Sequence, residues 1–356
     1  MAVSPPATSI HQSPIQLDVI VVGAGLGGLA SAISVAQAGH NVTVFESAKE
    51  LAEVGAGLQL TPNCTKILQR YGLSDAFWAS AAEPSSLTVH RYTGSVLAHD
   101  ETFARTTRAR YSAPFLDMHR CDLQQALYQR AQALGVSFRF RSKITEMELD
   151  QARPAVSTED GSHTVADLII AADGLWSRCR SRFLGRDDPP KPTGDLAYRV
   201  VLDLGQIEDA ELRRERTQPL KMVQCSVYYS DALSPETTSP QVLRLYENLR
   251  KARGESIVRE TFKQRESFHM RDGPEQEARD KVFLSQLGKE LKGPFPSRWT
   301  CPQVQPWLYG YDAYEEVDKA VKAESFPRSN QEFSGFSTSD WLAQLYKWLP
   351  FLQWTR

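Results

Sequence analysis

Residues 17–30 read Leu-Asp-Val-Ile-Val-Val-Gly-Ala-Gly-Leu-Gly-Gly-Leu-Ala, and residues 41–46 read Asn-Val-Thr-Val-Phe-Glu. Between them lies a run of small residues ending at Gly39. An apolar strand, a glycine-rich turn, a helix, a second strand and a terminal acid fit within one βαβ unit. The glycines at 23, 25 and 28 fall on the dinucleotide fingerprint. Gly23 lets the strand turn sharply, Gly25 lets a pyrophosphate approach the backbone, and Gly28 lets the helix pack on the strands. A helix starting near Leu26 offers free N–H groups and a positive dipole end to phosphates. Leu26, Leu29, Ala30, Ile33 and Ala36 recur at helical spacing as its buried face, and Gly39 suits the position just past its end. Glu46 closes the second strand, where a carboxylate accepts hydrogen bonds from ribose hydroxyls and disfavours a 2′-phosphate, so FAD or NAD suits the site better than NADP.

The chain has 356 residues, enough for one large or two ordinary domains. A net charge of −2 argues against a general nucleic-acid or membrane-surface binder. Cys64, Cys121, Cys179, Cys225 and Cys301 are odd in number, widely spaced and form no metal-ligand pattern. They read as reduced thiols of a cytoplasmic protein with no metal. Residues 1–16 are Ser-, Pro- and Gln-rich without an apolar core, and are expected to be a disordered tail rather than a signal peptide. No apolar run reaches transmembrane length.

Further along, Glu53 to Asn63 form a glycine-rich loop leading into a short helix over 64–71. Asp122 is placed to cap a helix whose apolar positions are Leu123, Ala126, Leu127, Ala131 and Leu134, ending at Gly135. Val136, Phe138 and Phe140 alternate with polar residues, as in a half-buried strand. Residues 165–172 are nearly all apolar, as expected for a parallel strand covered on both faces, and Asp173-Gly174 end it. Residues 197–204 form another strand candidate, carrying Arg199. Residues 242–270 read as a long helix interrupted near Gly254, and residues 271–330 read as charged surface. In the last stretch, Trp341, Leu345, Trp348 and Leu352 lie at helical spacing. We read a docked helix there in preference to a membrane-surface helix, because Lys347 and Arg356 are its only basic residues.

Four motifs in order carry a family resemblance: the N-terminal fingerprint; Glu53-Val-Gly-Ala-Gly-Leu-Gln-Leu-Thr-Pro-Asn63; Met118-His-Arg-Cys-Asp-Leu123; and Ala172-Asp-Gly-Leu-Trp-Ser-Arg-Cys-Arg180. The chain resembles the FAD-dependent aromatic hydroxylases, the salicylate-hydroxylase-like group A flavin monooxygenases. The resemblance implies an α/β fold: a Rossmann-like FAD-binding domain of glutathione-reductase type, with a substrate-binding β-sheet and C-terminal helices. It implies that Glu46 binds the adenosine ribose, that the Gly55–Gln59 loop (Gly57 and Gln59 included) and Arg120 lie along the FAD, and that Asp173, Ser177 and Arg180 support FAD and NAD(P)H. An arginine suits phosphate because its planar fork donates two parallel bonds. Family members often carry an arginine on the Arg199 strand, facing the substrate, and there it would hold a phenolate or carboxylate. NAD(P)H reduces the flavin in this family, and one atom of O2 goes to the ring of a small phenolic or polyketide-like substrate, as in secondary metabolism.

The sequence departs from the family at one point. A Gly-Asp followed by a small residue, His and Pro, then a Gly-Gln-Gly turn, is absent; Gly194-Asp195 continues as Leu-Ala-Tyr-Arg in strand context. The chain runs from the Arg199 strand directly into helices that resemble those normally following the motif, as at Val242-Leu-Arg-Leu-Tyr-Glu247 and Trp307-Leu-Tyr-Gly-Tyr-Asp312. The organisation expected is therefore a tail at 1–16, an FAD-binding domain at 17–195 with a partial substrate sheet, a substrate-domain remnant at 196–240, a helical region at 241–330 and an aromatic tail helix at 331–356. Two other readings share these motifs: an inactive or truncated remnant of the FAD fold, and another flavin oxidoreductase or halogenase.

Overall fold

A computed structural model describes residues 16–51, 57–91, 93–149, 151, 153–191, 208, 210, 240–289, 291 and 294–323. Arg199, the 196–239 stretch apart from residues 208 and 210, the tail before residue 16, the loop residues 52–56, Cys225 and the aromatic segment 331–356 lie outside the described residues.

The βαβ unit forms as its sequence dictates. Strand β1 spans Asp18–Val22, helix α1 Leu26–Gln37 and strand β2 Asn41–Phe45. The two strands pair in parallel from Asp18↔Asn41 to Val22↔Phe45. Strand β7, Ser137–Arg139, adds to β2, and β11, Leu168–Ala171, adds to the other side of β1, giving the parallel order β11-β1-β2-β7. Val19, Val21, Val42 and Val44 join one core with Leu29, Ile33 and the helix α5, Arg120–Ala133. Ile20, Val22 and Phe45 point the opposite way, onto Ile144, Met147 and Val156. Those residues belong to an antiparallel sheet of β8 (Ile144–Glu148), β9 (Ala155–Thr158) and β10 (His163–Val165). Both faces of β1 are thus covered, which is why its sequence is continuously apolar rather than alternating. Each such fully buried side chain contributes about 1.5–3 kcal/mol.

Around this centre sit β3 (Gly57–Leu60), antiparallel to β6 (Leu116–His119), and the hairpin β4 (Leu87–His90) with β5 (Val96–Asp100). Helices α2 (Pro62–Tyr71), α3 (Asp75–Ser80) and α4 (Phe103–Tyr111) link them. Helix α6 (Arg178–Leu184) follows β11. Helices α7 (Pro240–Phe268), α8 (Pro274–Ser285), α9 (Gln305–Tyr309) and α10 (Ala313–Ala323) complete the described chain. Arg70 of α2 pairs with Asp312 at 3.3 Å and stacks over Tyr314 at 4.1 Å, tying α10 to the first domain.

Five sequence expectations are corrected. The apolar run 165–172 is two strands, because Ala166 N–H bonds Pro154 and Asp167 N–H bonds Asp18, so the chain changes sheets between them. Its second part, β11, is not covered on both faces: its residues are half-exposed to exposed, and its outer edge pairs with no strand among the described residues. Asp122 does not cap α5; His119 holds the cap position and Asp122 sits in the first turn, where its charge faces the positive helix end. Helix α7 passes through Gly254 without a break, and the 271–323 region is not mere surface, since Phe283, Phe295, Cys301, Val304, Leu308 and Tyr309 are buried.

Candidate functional site

The C-terminal ends of β1, β2 and β11 converge on a cleft of about 780 Å3. Gly23, Gly25, Glu46, Arg120 and Asp173 line it. This is where parallel α/β sheets place ligands.

The three glycines have three separate physical reasons. Gly23 adopts φ +103°, and a Cβ there would lie 2.5 Å from the Ala172 carbonyl oxygen. Its N–H donates to Phe45 O at 2.8 Å, which fixes the turn against β2. A Cβ on Gly28 would fall 1.9 Å from Gly23 O, so α1 packs on the turn at a distance only glycine allows. A Cβ on Gly25 would meet nothing within 4 Å. The space beside Gly25 is open at the start of α1, and an anion can approach the backbone N–H groups there. That empty cradle, with an arginine and an acid on the same cleft, fits the pyrophosphate and ribose of FAD.

Glu46 is held ready by the backbone. Its Oε2 accepts from Ala24 N–H at 2.8 Å, and its Oε1 accepts from Ala48 N–H at 2.8 Å and Ser47 Oγ at 3.1 Å. Gln124 of α5 donates to Ala24 O at 3.1 Å and braces the same turn. Arg120 enters the cleft as the first residue of α5, directly after β6.

Asp173 lies at the end of β11, on the cleft wall, with its carboxylate already engaged. Oδ1 accepts from Ser177 Oγ at 2.6 Å, and Oδ2 accepts from the backbone N–H groups of Arg178 (2.8 Å) and Cys179 (3.0 Å). Burial opposes its ionisation, yet the bonds from Ser177 and Cys179 outweigh it and hold its pKa below the usual carboxylate value. Ser177 in turn accepts from Arg180 N–H at 2.9 Å and caps α6. The motif therefore locks the strand end to α6. The buried Cys179 thiol is pushed up to about 12, by burial first and then by the Asp173 charge.

The structure does not bring every expected residue to the cleft. Arg180 lies outside its lining; its Nε pairs with Asp188 at 3.0 Å and its Nη2 donates to Leu175 O and Asp188 O. Gly57 and Gln59 sit on β3, opposite His119 and Asp117 of β6, and do not line the cleft. Gly28 acts through packing rather than contact.

Asp117 carries a signal that the sequence reading missed. Burial pushes its carboxyl up to about 6, against a hydrogen bond from the Gln59 side chain. Its Oδ1 is buried without a hydrogen-bond partner. An acid at the second position of an otherwise apolar strand, Leu116-Asp117-Met118, was the available clue.

Comparison with known proteins points to the FAD family. The FAD binding domain family matches residues 16–186. An FAD-dependent monooxygenase of Beauveria bassiana, OpS4, is 32% identical over 418 aligned positions, 86% of this chain and 97% of the relative. That alignment is longer than the 356 residues of this chain, so a stretch of the relative has no counterpart here. A 3-hydroxybenzoate 6-hydroxylase of Polaromonas naphthalenivorans is 32% identical across 54% of this chain and 48% of its own length. A 6-hydroxynicotinate 3-monooxygenase of Bordetella bronchiseptica is 33% identical across 53% and 50%. The chain thus spans about half the length of these two relatives. Among solved structures, CtdE with FAD and a substrate is 27% identical with a TM-score of 0.45, covering 50% of this chain and 43% of that one. A 2-methyl-3-hydroxypyridine-5-carboxylic acid oxygenase is 29% identical with a TM-score of 0.40, covering 46% and 41%.

Proposed function

We infer the activity from membership: this chain belongs to the FAD-dependent aromatic monooxygenases. The reaction we propose is hydroxylation of a small phenolic or polyketide-like aromatic, with NAD(P)H as reductant and O2 as oxygen source. FAD supplies the redox chemistry when bound, taking electrons from NAD(P)H and activating O2.

The protein's own residues bind and orient. Glu46 exchanges its backbone partners for, or shares them with, the adenosine ribose hydroxyls. The N–H groups at the start of α1 and the Arg120 guanidinium take the pyrophosphate. Asp173 and Ser177 keep α6 against the cleft, and Arg199 is proposed to hold the phenolate or carboxylate of the substrate. The observation that carries the reading is the open backbone cradle at Gly25, facing the cleft between Glu46 and Arg120. The reduced cysteines point to the cytoplasm as compartment. No helix among the described residues is long and apolar enough to cross a membrane.

A second reading concerns how well this chain performs the reaction. The apolar strand β11 ends the sheet among the described residues, and just beyond it Leu175 is 67% and Trp176 76% exposed. Phe183 of α6 is 68% exposed. Surfaces of this kind are normally covered. Together with the absent Gly-Asp motif and the unmatched stretch of the Beauveria relative, they support a chain that anchors the adenosine end of FAD but encloses its reactive end poorly. Such a site binds FAD weakly and loses reducing equivalents to solvent instead of hydroxylating.

Titration of the purified chain with FAD, followed by flavin fluorescence, and with ADP, followed by isothermal titration, tests both readings. Binding of each with similar affinity, and NAD(P)H oxidation that yields peroxide rather than product, is the expected result. Failure to bind ADP sinks the site; stoichiometric FAD and coupled hydroxylation sink the second reading.

A further inference from the structure

The β4–β5 hairpin, α4, residues 286–289 and Leu291, Phe295, Thr300, Pro302 and Gln305 surround a second cavity, of about 710 Å3, that shares no lining residue with the FAD cleft. It lies between two satellite cores. Val89, Ala98, Leu291 and Phe295 face it from one, and Leu87 and Phe103 from the other. Its volume is that of a ligand site rather than a packing defect.

One side of the cavity is polar in a patterned way. Phe103, Thr106, Thr107 and Arg110 all line it, at the spacing of one helix face. That face of α4 is buried at Phe103 and Thr107 and emerges at the exposed Arg110, so after Phe103 it carries hydroxyls and a cation where a packed helix would carry apolar residues. Thr107 is 3% exposed and lines the cavity. Burial raises the Tyr111 pKa, and the neighbouring Arg110 charge opposes it. Tyr111 in turn donates to Gln305 Oε1 at 2.9 Å, and Gln305 Nε2 donates to Trp299 O at 3.2 Å, so this wall is braced. Lys289 adds a second cation to the lining. The carboxylates nearby are turned to other work: Asp100 Oδ1 accepts from Thr102 N–H at 2.8 Å and Thr102 Oγ1 at 3.0 Å, and Glu101 stands 83% exposed beside His99.

We propose that this cavity binds a small planar aromatic carboxylate, with its ring between Phe103 and Phe295 and its carboxylate on Arg110 and Thr107. A guanidinium fork matches a carboxylate, and a buried hydroxyl supplies a second donor. The site is independent of the FAD cleft and of the activity inferred there.

The test is equilibrium binding of naphthoate, read by its own fluorescence, to the full chain saturated with ADP. Wild type binds one equivalent, whether or not ADP is present, and prefers naphthoate to the neutral naphthyl alcohol. Arg110→Ala, at an exposed position that leaves the fold intact, weakens naphthoate by about tenfold and removes the preference over the alcohol. Thr107→Val, near-isosteric, weakens it less. No saturable binding, displacement by ADP, or unchanged affinity in both variants overturns the proposal.

Discussion

Replacing Gly28 and Gly25 separately with alanine divides the fingerprint into a packing glycine and a ligand glycine. In Gly28→Ala the new Cβ falls 1.9 Å from Gly23 O, whereas real Cβ atoms stay beyond 3.0 Å. The helix and the turn must therefore part by about 1 Å, and neither can give easily. Gly23 is pinned in front by its bond to Phe45 O at 2.8 Å, and behind by Ala172 O, 2.5 Å from where its own Cβ would stand. Overpacking against backbone of this kind costs about 3 kcal/mol. For a unit of this size that lowers Tm by roughly 10 °C. Gly25→Ala meets nothing within 4 Å, and Gly25 already has φ −69°, which alanine adopts. The smaller unfolded-state entropy offsets the weaker N-cap, so its stability change stays within about 0.5 kcal/mol. Its methyl instead occupies the phosphate approach, and ADP affinity falls by about tenfold, or 1.4 kcal/mol. Urea denaturation and ADP titration on both variants are the assays. A Gly28→Ala chain as stable as wild type, or a Gly25→Ala chain with unchanged ADP affinity, refutes the assignment of roles.

Three further outcomes follow from the same geometry. Glu46→Gln should leave the fold in place but weaken ADP and FAD by about 1–2 kcal/mol, since a neutral amide accepts ribose hydroxyls less strongly and cannot replace both carboxylate bonds; isothermal titration measures it. Asp117→Asn should flatten the pH dependence of stability. The folded pKa of about 6 lies above the ordinary carboxylate value of 3.8, so this group's contribution to stability is fully present below pH 3.8 and is lost as pH rises through 6. Removing that loss raises stability at pH 8 by about 2 kcal/mol relative to wild type, seen as a higher urea midpoint there and little change at pH 4. Ser177→Ala should cost about 1 kcal/mol by uncapping α6, with proteolysis between residues 174 and 186 as the local readout.

The sequence made the βαβ unit legible because each of its parts obeys a local rule: a buried run, a turn only glycine can make, a helix of small residues. The cleft followed from the same unit, since Gly25, Glu46 and Asp173 all fall where parallel strands end. Less was legible where tertiary contacts decide. The 165–172 run looks like one strand by composition, and only the bonds of Ala166 and Asp167 to different sheets reveal two. Arg180 carries the right charge for a cofactor, but Asp188, eight residues on, claims it. The 271–323 segment hides its buried residues among charges, because Phe283, Phe295 and Leu308 are spread over short elements without a sustained period. Asp117 stands out as a buried acid only once its burial is known.

The outer edge of β11, unpaired among the described residues, also bears on how this chain behaves in a crowded solution. Its backbone donors and acceptors at Leu168–Ala171 are a template onto which any extended apolar segment can dock, and the neighbouring Trp176 and Leu175 make such docking adhesive. Refolding yield should therefore fall as protein concentration rises, and chaperones that capture extended apolar chain should hold this polypeptide longer than its enclosed relatives. Cellular abundance, rather than turnover, then becomes the quantity that the strand's exposure governs.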